Sequence, residues 1–379
     1  MMNNQYHAKG EAQKKIAAYL SRLISYKTLP DNQEEVQKAF SWIKKVVEEW
    51  PLHVEERVYN GFHSLLLTTQ STQNPDLWLV AHIDVVAGPE GLFQARVEEN
   101  KLIGRGSIDM KMAIAVYLYV LELLGNQLPC YNIGVMLVSD EEVGGFNGVC
   151  RLLADGYTSQ LAFLPDGGYD WSFEEVAKGA LHLTIKAKGR SAHASRPWEG
   201  ENAIEKLIGF LCDLQESFDT LRKKSPDYHA TLNVGKISGG LATNQVAKNA
   251  EATVDIRYTS IHDYEEIQNK LQKQAAVYGG ITIKERIKVP HVQHDTSLPT
   301  FSSFAKIAEK YGKKISTTVS HGASDARFFA EKHIPVLVVA PKGQGHHSVH
   351  EWVDLEDLAL FGQVLLEWVQ EGFLNTKKP

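Results

Sequence analysis

The stretch Leu77-Trp78-Leu79-Val80-Ala81-His82-Ile83-Asp84 decides how this 379-residue chain is read. Five apolar residues in succession leave no wet face, so they predict a strand buried inside a sheet that helices cover. The run ends directly on a histidine. Two residues later stands an aspartate, on the same face while the backbone stays extended, where it can orient the imidazole.

The pattern recurs. Residues 133–139 are a second buried strand and run straight into Asp140-Glu141-Glu142. Residues 161–164 form a short apolar strand that leads to Pro165-Asp166-Gly167-Gly168. The strand 336–339 and a glycine turn precede His346-His347-Ser348-Val349-His350-Glu351. Between them lie helical spacings at residues 11–26, 33–49, 110–124, 301–311 and 323–331. Strands alternating with helices predict an α/β fold with a mixed, largely parallel sheet, and in such sheets ligands gather beyond the carboxyl ends of the strands.

Residues 180–288 have another rhythm. Strand, helix, strand, strand, helix, strand is the β-α-β-β-α-β order of a small ferredoxin-like α+β domain. It reads as an insertion between residues 1–179 and 289–379 of a larger discontinuous domain. A length of 379 residues also exceeds what one core usually organises.

Composition narrows the function. With 43% hydrophobic and 23% charged residues the chain is an ordinary globular one. A net charge of −6 leaves no basic surplus to meet phosphates, which argues against nucleic acid. The three cysteines, Cys130, Cys150 and Cys212, lie too far apart for a CxxC zinc site or a disulfide framework. The first twenty residues lack a signal-type apolar core, and no apolar run is read as reaching the roughly 18–20 residues of a membrane span. A cytoplasmic location is expected.

Single motifs are weak here. His82 alone is most often structural, Asp109 at the mouth of a helix reads as a cap, and an acidic trio is usually a solvated turn. Gly104-Arg105-Gly106-Ser107-Ile108-Asp109 lacks the third glycine of a dinucleotide loop. No GxSxG elbow, Walker loop or HExxH occurs. Together, however, histidines and carboxylates at the strand ends of one sheet form a constellation. Two divalent ions carry +4; Asp109, Glu142 and Asp166 supply −3 and a hydroxide −1, a neutral sum suited to a two-metal hydrolytic centre.

At these residues the chain resembles the di-zinc hydrolase family that includes acetylornithine deacetylase, succinyl-diaminopimelate desuccinylase, aminoacylase and glutamate carboxypeptidase. The likeness runs over nearly the whole chain, through residues 81–86, 104–111, 139–145, 164–167, 189–203, 239–244, 320–327 and 347–351. It implies that His82 and Asp166 hold one zinc, that Glu142 and His347 hold the other, and that Asp109 bridges them with a cis peptide to Met110. Cobalt or manganese, or a mononuclear site, are the alternatives for ligands this rich in oxygen. Asp84 would orient His82, and Glu141 would take the proton from the attacking water and pass it to the leaving amine. The inserted domain would be a lid and a homodimerisation surface, with His193 reaching a partner subunit's oxyanion. Asn244 and Arg257 would grip a substrate carboxylate, although Arg257 can instead pair with Asp255. Gly322 would line the pocket through its backbone. Asp166 stands where many members carry glutamate. The adjacent histidines leave a one-residue choice of register: His347 is taken because it lies four before Glu351, with His346 as the alternative. The implied reaction is hydrolysis of an amide bond next to a free carboxylate, of the N-acyl-amino-acid deacylase type, on an N-acyl amino acid or short peptide; a carboxypeptidase or dipeptidase of the same family is the alternative. A non-catalytic homologue that binds amino-acid derivatives is the reading from another class.

Overall fold

The computed structural model describes residues 2–222 and 229–372. The chain separates into two compact units. One is built from residues up to 175, 294–318 and 324 onward; the other takes residues 176–293 and the short return 319–323.

The first unit is organised by a six-stranded mixed sheet. Its order is His53–Tyr59, Phe62–Thr68, Ile133–Val138, Leu77–His82, Leu161–Phe163, Val336–Leu337. The last four strands run parallel to one another, while Phe62–Thr68 pairs antiparallel with both Ile133–Val138 and the edge strand His53–Tyr59. Every residue of Leu77–His82 and of Ile133–Val138 is buried, as unbroken apolar runs in the middle of a covered sheet must be. The helix Lys111–Leu124 packs against the helices Met2–Ile24 and Leu355–Glu371. Apart from Glu122 and Leu123 its side chains are buried. Lys111 enters this apolar setting by donating from Nζ to the carbonyls of Leu23 (3.1 Å) and Tyr26 (2.8 Å), the free end of the first helix.

One expectation needs correction. The segment Lys111–Cys130 does reach 20 residues at a mean hydropathy of 1.3, long and apolar enough for a span by length and composition. It is 61% buried inside the protein, where a core helix has the same composition as a membrane one.

A smaller antiparallel sheet decides where two key loops emerge. Gly343–Gln344 pairs with Trp352–Asp354, which pairs with Lys101–Ile103. Trp352 lies opposite Ile103, so the loop entering one strand and the loop leaving the other, residues 345–351 and 104–110, open at the same end.

The second unit is a four-stranded antiparallel sheet in the order Thr231–Gly239, Asn249–Tyr258, Gly179–Lys188, Ile281–Val289, with helices Ala203–Arg222 and Ile261–Tyr278. Asn249–Tyr258 alternates buried and half-exposed residues, the signature of a sheet packed on one face. Leu181, Leu183, Ile185, Phe210, Leu214 and Ile256 belong to a core of its own. Ser260 caps the helix Ile261–Tyr278 by accepting from the Asp263 amide at 3.1 Å.

Candidate metal centre

His82 closes its strand, Glu141 and Glu142 follow the adjacent parallel strand, and Asp166 follows the next. All four therefore stand at the carboxyl end of one parallel sheet. Asp109 and His347 arrive on the two loops that the small sheet opens side by side.

These side chains form two groups, His82 with Glu141 and Asp166, and Asp109 with Glu142 and His347. Within each group one ligand atom per residue lies within 4.8 Å of the others. Asp109 joins the groups: its Oδ1 is 3.1 Å from His82 Nε2 and its Oδ2 is 3.1 Å from His347 Nε2. His347 Nε2 also stands 3.1 Å from Glu142 Oε2. Asp109 is not a helix cap. The cap position is Met110, which makes no side-chain bond, and the Asp109–Met110 peptide is cis.

His82 supplies the test of whether cations fit. Its Nδ1 lies 2.9 Å from the backbone carbonyl of Asp84, and a carbonyl only accepts, so Nδ1 carries the proton. In a neutral imidazole Nε2 is then bare, and it faces the Asp109 carboxylate. Two lone pairs at 3.1 Å require a proton or a metal ion between them. The residues present fit divalent ions.

The protonation tendencies follow the same crowding. Burial opposes charge on His82, yet hydrogen bonds to Asp109 and Asp84 outweigh it and hold its pKa well above the usual value. His347 is pushed up to about 10 by its hydrogen bonds to Asp109 and Glu142. Asp109, despite its burial, is held below the normal carboxylate range by His347 and His82. Burial, with the charges of Asp109 and Glu142, raises Asp166 to about 7. Burial and then the Asp166 charge lift Glu141 well above a free glutamate. Each of these directions is what carboxylates and imidazoles show when only protons balance them.

Asp84 works twice. Its carbonyl fixes the His82 ring, and its Oδ2 accepts from the Glu142 amide at 3.0 Å. Its Oδ1 is 3.6 Å from His82 Nδ1, so the side chain of Asp84 is not the nearest partner of the ring. Of the adjacent histidines, His347 enters the cluster. Its backbone takes φ +57°, whereas His346 belongs to neither group and packs against Tyr169, with ring centroids 4.1 Å apart and planes tilted by 49°.

Sequence reasoning missed the pair that joins the two ligand loops. Glu351, fully buried, accepts on Oε2 from Arg105 Nη1 (2.6 Å) and on Oε1 from the amides of Ile108 (3.1 Å) and Asp109 (3.2 Å). The signal available was its spacing four residues after His347.

The other expected residues belong to the second unit. His193 is exposed, and its Nδ1 accepts from the Ser195 amide at 3.2 Å. That leaves the ring proton of a neutral His193 on Nε2 as a free donor. The Asn244 carbonyl accepts from the Ala194 amide at 3.0 Å, so Asn244 and the His193 loop are held together. Arg257 forms a bidentate pair with Asp255, from Nε at 2.9 Å and Nη2 at 3.0 Å. Gly322 is exposed in the return 319–323.

A model of peptidase family M20/M25/M40 matches residues 78–371, most of the chain and all of the site. The chain belongs to that family. This M20 enzyme is 24% identical over 392 residues to succinyl-diaminopimelate desuccinylase of Rickettsia bellii (strain OSU 85-389), spanning 95% of this chain and 97% of the relative. Its fold matches a tripeptidase from Staphylococcus aureus with a TM-score of 0.78 at 21% identity, covering 95% and 98% of the two chains. It also matches a dinuclear metal-binding peptidase of the M20 family from Bacillus subtilis, with a TM-score of 0.68 at 16% identity and coverage of 95% and 99%. The M20 enzyme is thus a metal-dependent amidohydrolase of a family that binds two metal ions and acts on small molecules or peptides.

Proposed function

We propose that this M20 enzyme removes an acyl group or a terminal residue next to a free carboxylate, in the cytoplasm, with two zinc ions. The observation that carries the reading is the shared carboxylate: Asp109 lies between His82 and His347, each 3.1 Å away, with one group of potential ligands on either side. His82 and Asp166 would hold one ion, Glu142 and His347 the other, and Asp109 would serve both. Bound there, divalent ions would supply an acidified water, polarisation of the scissile carbonyl and stabilisation of the developing oxyanion. Glu141 takes the proton from the attacking water and delivers it to the leaving amine; it stands beside His82 and Asp166 yet is not needed to complete either set of ligands, which leaves its carboxylate free for that task. Asp84 fixes the ring of His82 through its carbonyl and the Glu142 backbone through its carboxylate.

The second unit is the lid and dimerisation domain. His193 donates from Nε2 to the oxyanion in a second copy of the chain. Asn244, Arg257 and the backbone of Gly322 bind the substrate, with the carboxylate on the guanidinium once Asp255 yields part of the fork. Likeness to a desuccinylase supports an N-succinyl amino acid, and likeness in fold to a tripeptidase supports a short peptide. A hydrolysis screen with zinc or cobalt supplied separates them, using N-acetyl, N-succinyl and N-formyl amino acids, dipeptides, tripeptides and folyl-type glutamates. Turnover confined to substrates lacking a carboxylate next to the cleaved bond overturns the proposal.

A further inference from the structure

The turn that bears Glu141 and Glu142 is closed by its own backbone, the amides of Val143 and Gly145 donating to the Asp140 carbonyl at 3.2 and 2.7 Å. Glu141–Val143 is a three-residue 3-10 turn with no side-chain cap. It is followed by Gly144 at φ +112° and Gly145 at φ +65°, two residues with the widest conformational freedom available. A turn this short gains no cooperative stability of its own. Backbone bonds close the turn, but what aims it is the set of contacts that other segments make with it.

One side is held by Asp84 through the Glu142 amide. The other is held by Arg327, which is 5% exposed. Its Nη2 donates to the Gly144 carbonyl at 2.7 Å and its Nη1 to the Ser324 carbonyl at 2.9 Å. The Gly144 amide in turn donates to the Glu141 carbonyl at 2.8 Å, so the guanidinium is two hydrogen bonds from the backbone of the proposed base. The guanidinium is stacked on Phe328, 4.3 Å from the ring centroid. Space at Gly145 is filled from the same segment. A Cβ there would lie 2.0 Å from Asp325 Oδ1 and 2.9 Å from the Phe328 ring. The gripping segment begins at Ser324, the residue on which the chain re-enters the first unit.

A buried cation that spends its donors on two backbone carbonyls is an expensive way to fill space, since an apolar side chain would fill it without desolvating a charge. The rigid fork, however, can span two carbonyls at once, which an ammonium cannot. On the reading of Glu141 as base and Glu142 as ligand, we infer that Arg327 is a positioning residue: it fixes the Glu141–Gly145 turn, and through it the aim of both carboxylates.

Cobalt(II) alone is the probe, titrated into the full chain and followed by its visible absorption. Arg327→Ala is expected to bind one of the two cobalt equivalents roughly 10- to 100-fold more weakly, the usual effect of losing a group that orients a ligand. Arg327→Lys should lose less, and guanidinium chloride at a non-denaturing concentration should restore the Ala variant. Wild-type affinity for both equivalents in Arg327→Ala overturns the inference. So does a loss that guanidinium leaves unchanged while thermal stability falls, because that is a purely structural effect. Should the Ala variant not fold, Arg327→Lys decides: wild-type cobalt affinity there means that the fork is not needed. Glu141→Gln, measured alongside, separates the two readings. If it still hydrolyses substrate, the base assignment fails while the cobalt result for Arg327 stands on its own.

Discussion

Replacing Glu351 by alanine removes three contacts at once. Arg105, 2% exposed, loses its carboxylate, and the buried amides of Ile108 and Asp109 lose their acceptor. Breaking a buried ion pair from one side costs roughly 3–5 kcal/mol, because the remaining charge stays desolvated. Each orphaned amide adds up to about 1–3 kcal/mol where water cannot reach it. For a unit of this size, roughly 2–4 °C per kcal/mol then gives a fall in Tm of about 6–20 °C from the ion pair alone. Arg105→Met should cost less than Glu351→Ala, since Glu351 keeps both amides as partners. The double variant should be little worse than Glu351→Ala, with a coupling of about 0.5–3 kcal/mol in the cycle. Differential scanning calorimetry of the four proteins measures this. A shift under about 2 °C for Glu351→Ala, the size expected of a surface substitution, would refute the account, as would strictly additive single effects.

Three further outcomes follow from the site. Glu141→Gln should keep its metal content, measured by elemental analysis, yet lose turnover by roughly 10²- to 10⁴-fold, the worth of a positioned base; near-normal activity would remove Glu141 from that role. A chelator should abolish hydrolysis, and added zinc or cobalt should restore it; activity indifferent to chelation would sink the metal mechanism. His193→Ala should lower kcat by roughly 10²- to 10³-fold as an oxyanion donor does. Mixing it with Glu141→Gln should recover part of the activity if sites are shared between copies, and a mixture no better than its parents would place His193 in its own chain's site or in none.

Much of the architecture was legible because it is written in unbroken apolar runs. Leu77–His82 and Ile133–Val138 are buried from end to end, and charged or histidine residues that interrupt such runs mark where the chain leaves the core. The second unit was equally readable, since its strands and helices change period from 2 to 3.6 in plain succession. Other features depend on tertiary context. His53–Tyr59 is an edge strand with Val54 and Val58 exposed, so its apolar residues do not announce a buried face. The choice between His346 and His347 turns on a positive φ and on a Tyr169 ring far away in sequence, neither of which a neighbouring residue encodes. Glu351 and Arg105, charged residues 246 apart, carry no sign of burial until the two loops meet. For the same reason Asp109 reads as a cap from its position before a helix, although its oxygens face two histidines.

The route of the chain between its two units also sets an order of assembly. The second unit needs little beyond the contiguous residues 176–293, and its four strands are complete once residue 289 is made. The first unit must wait for Val336–Leu337 to finish its sheet and for Leu355–Glu371 to cover the helix Lys111–Leu124. During synthesis from the N-terminus, the inner unit can therefore fold on the ribosome while the outer one is still missing its last strand and final helix. Until then, the side of Lys111–Leu124 that Leu355–Glu371 will cover is open apolar surface, although the first helix and the strand Leu77–His82 are already made.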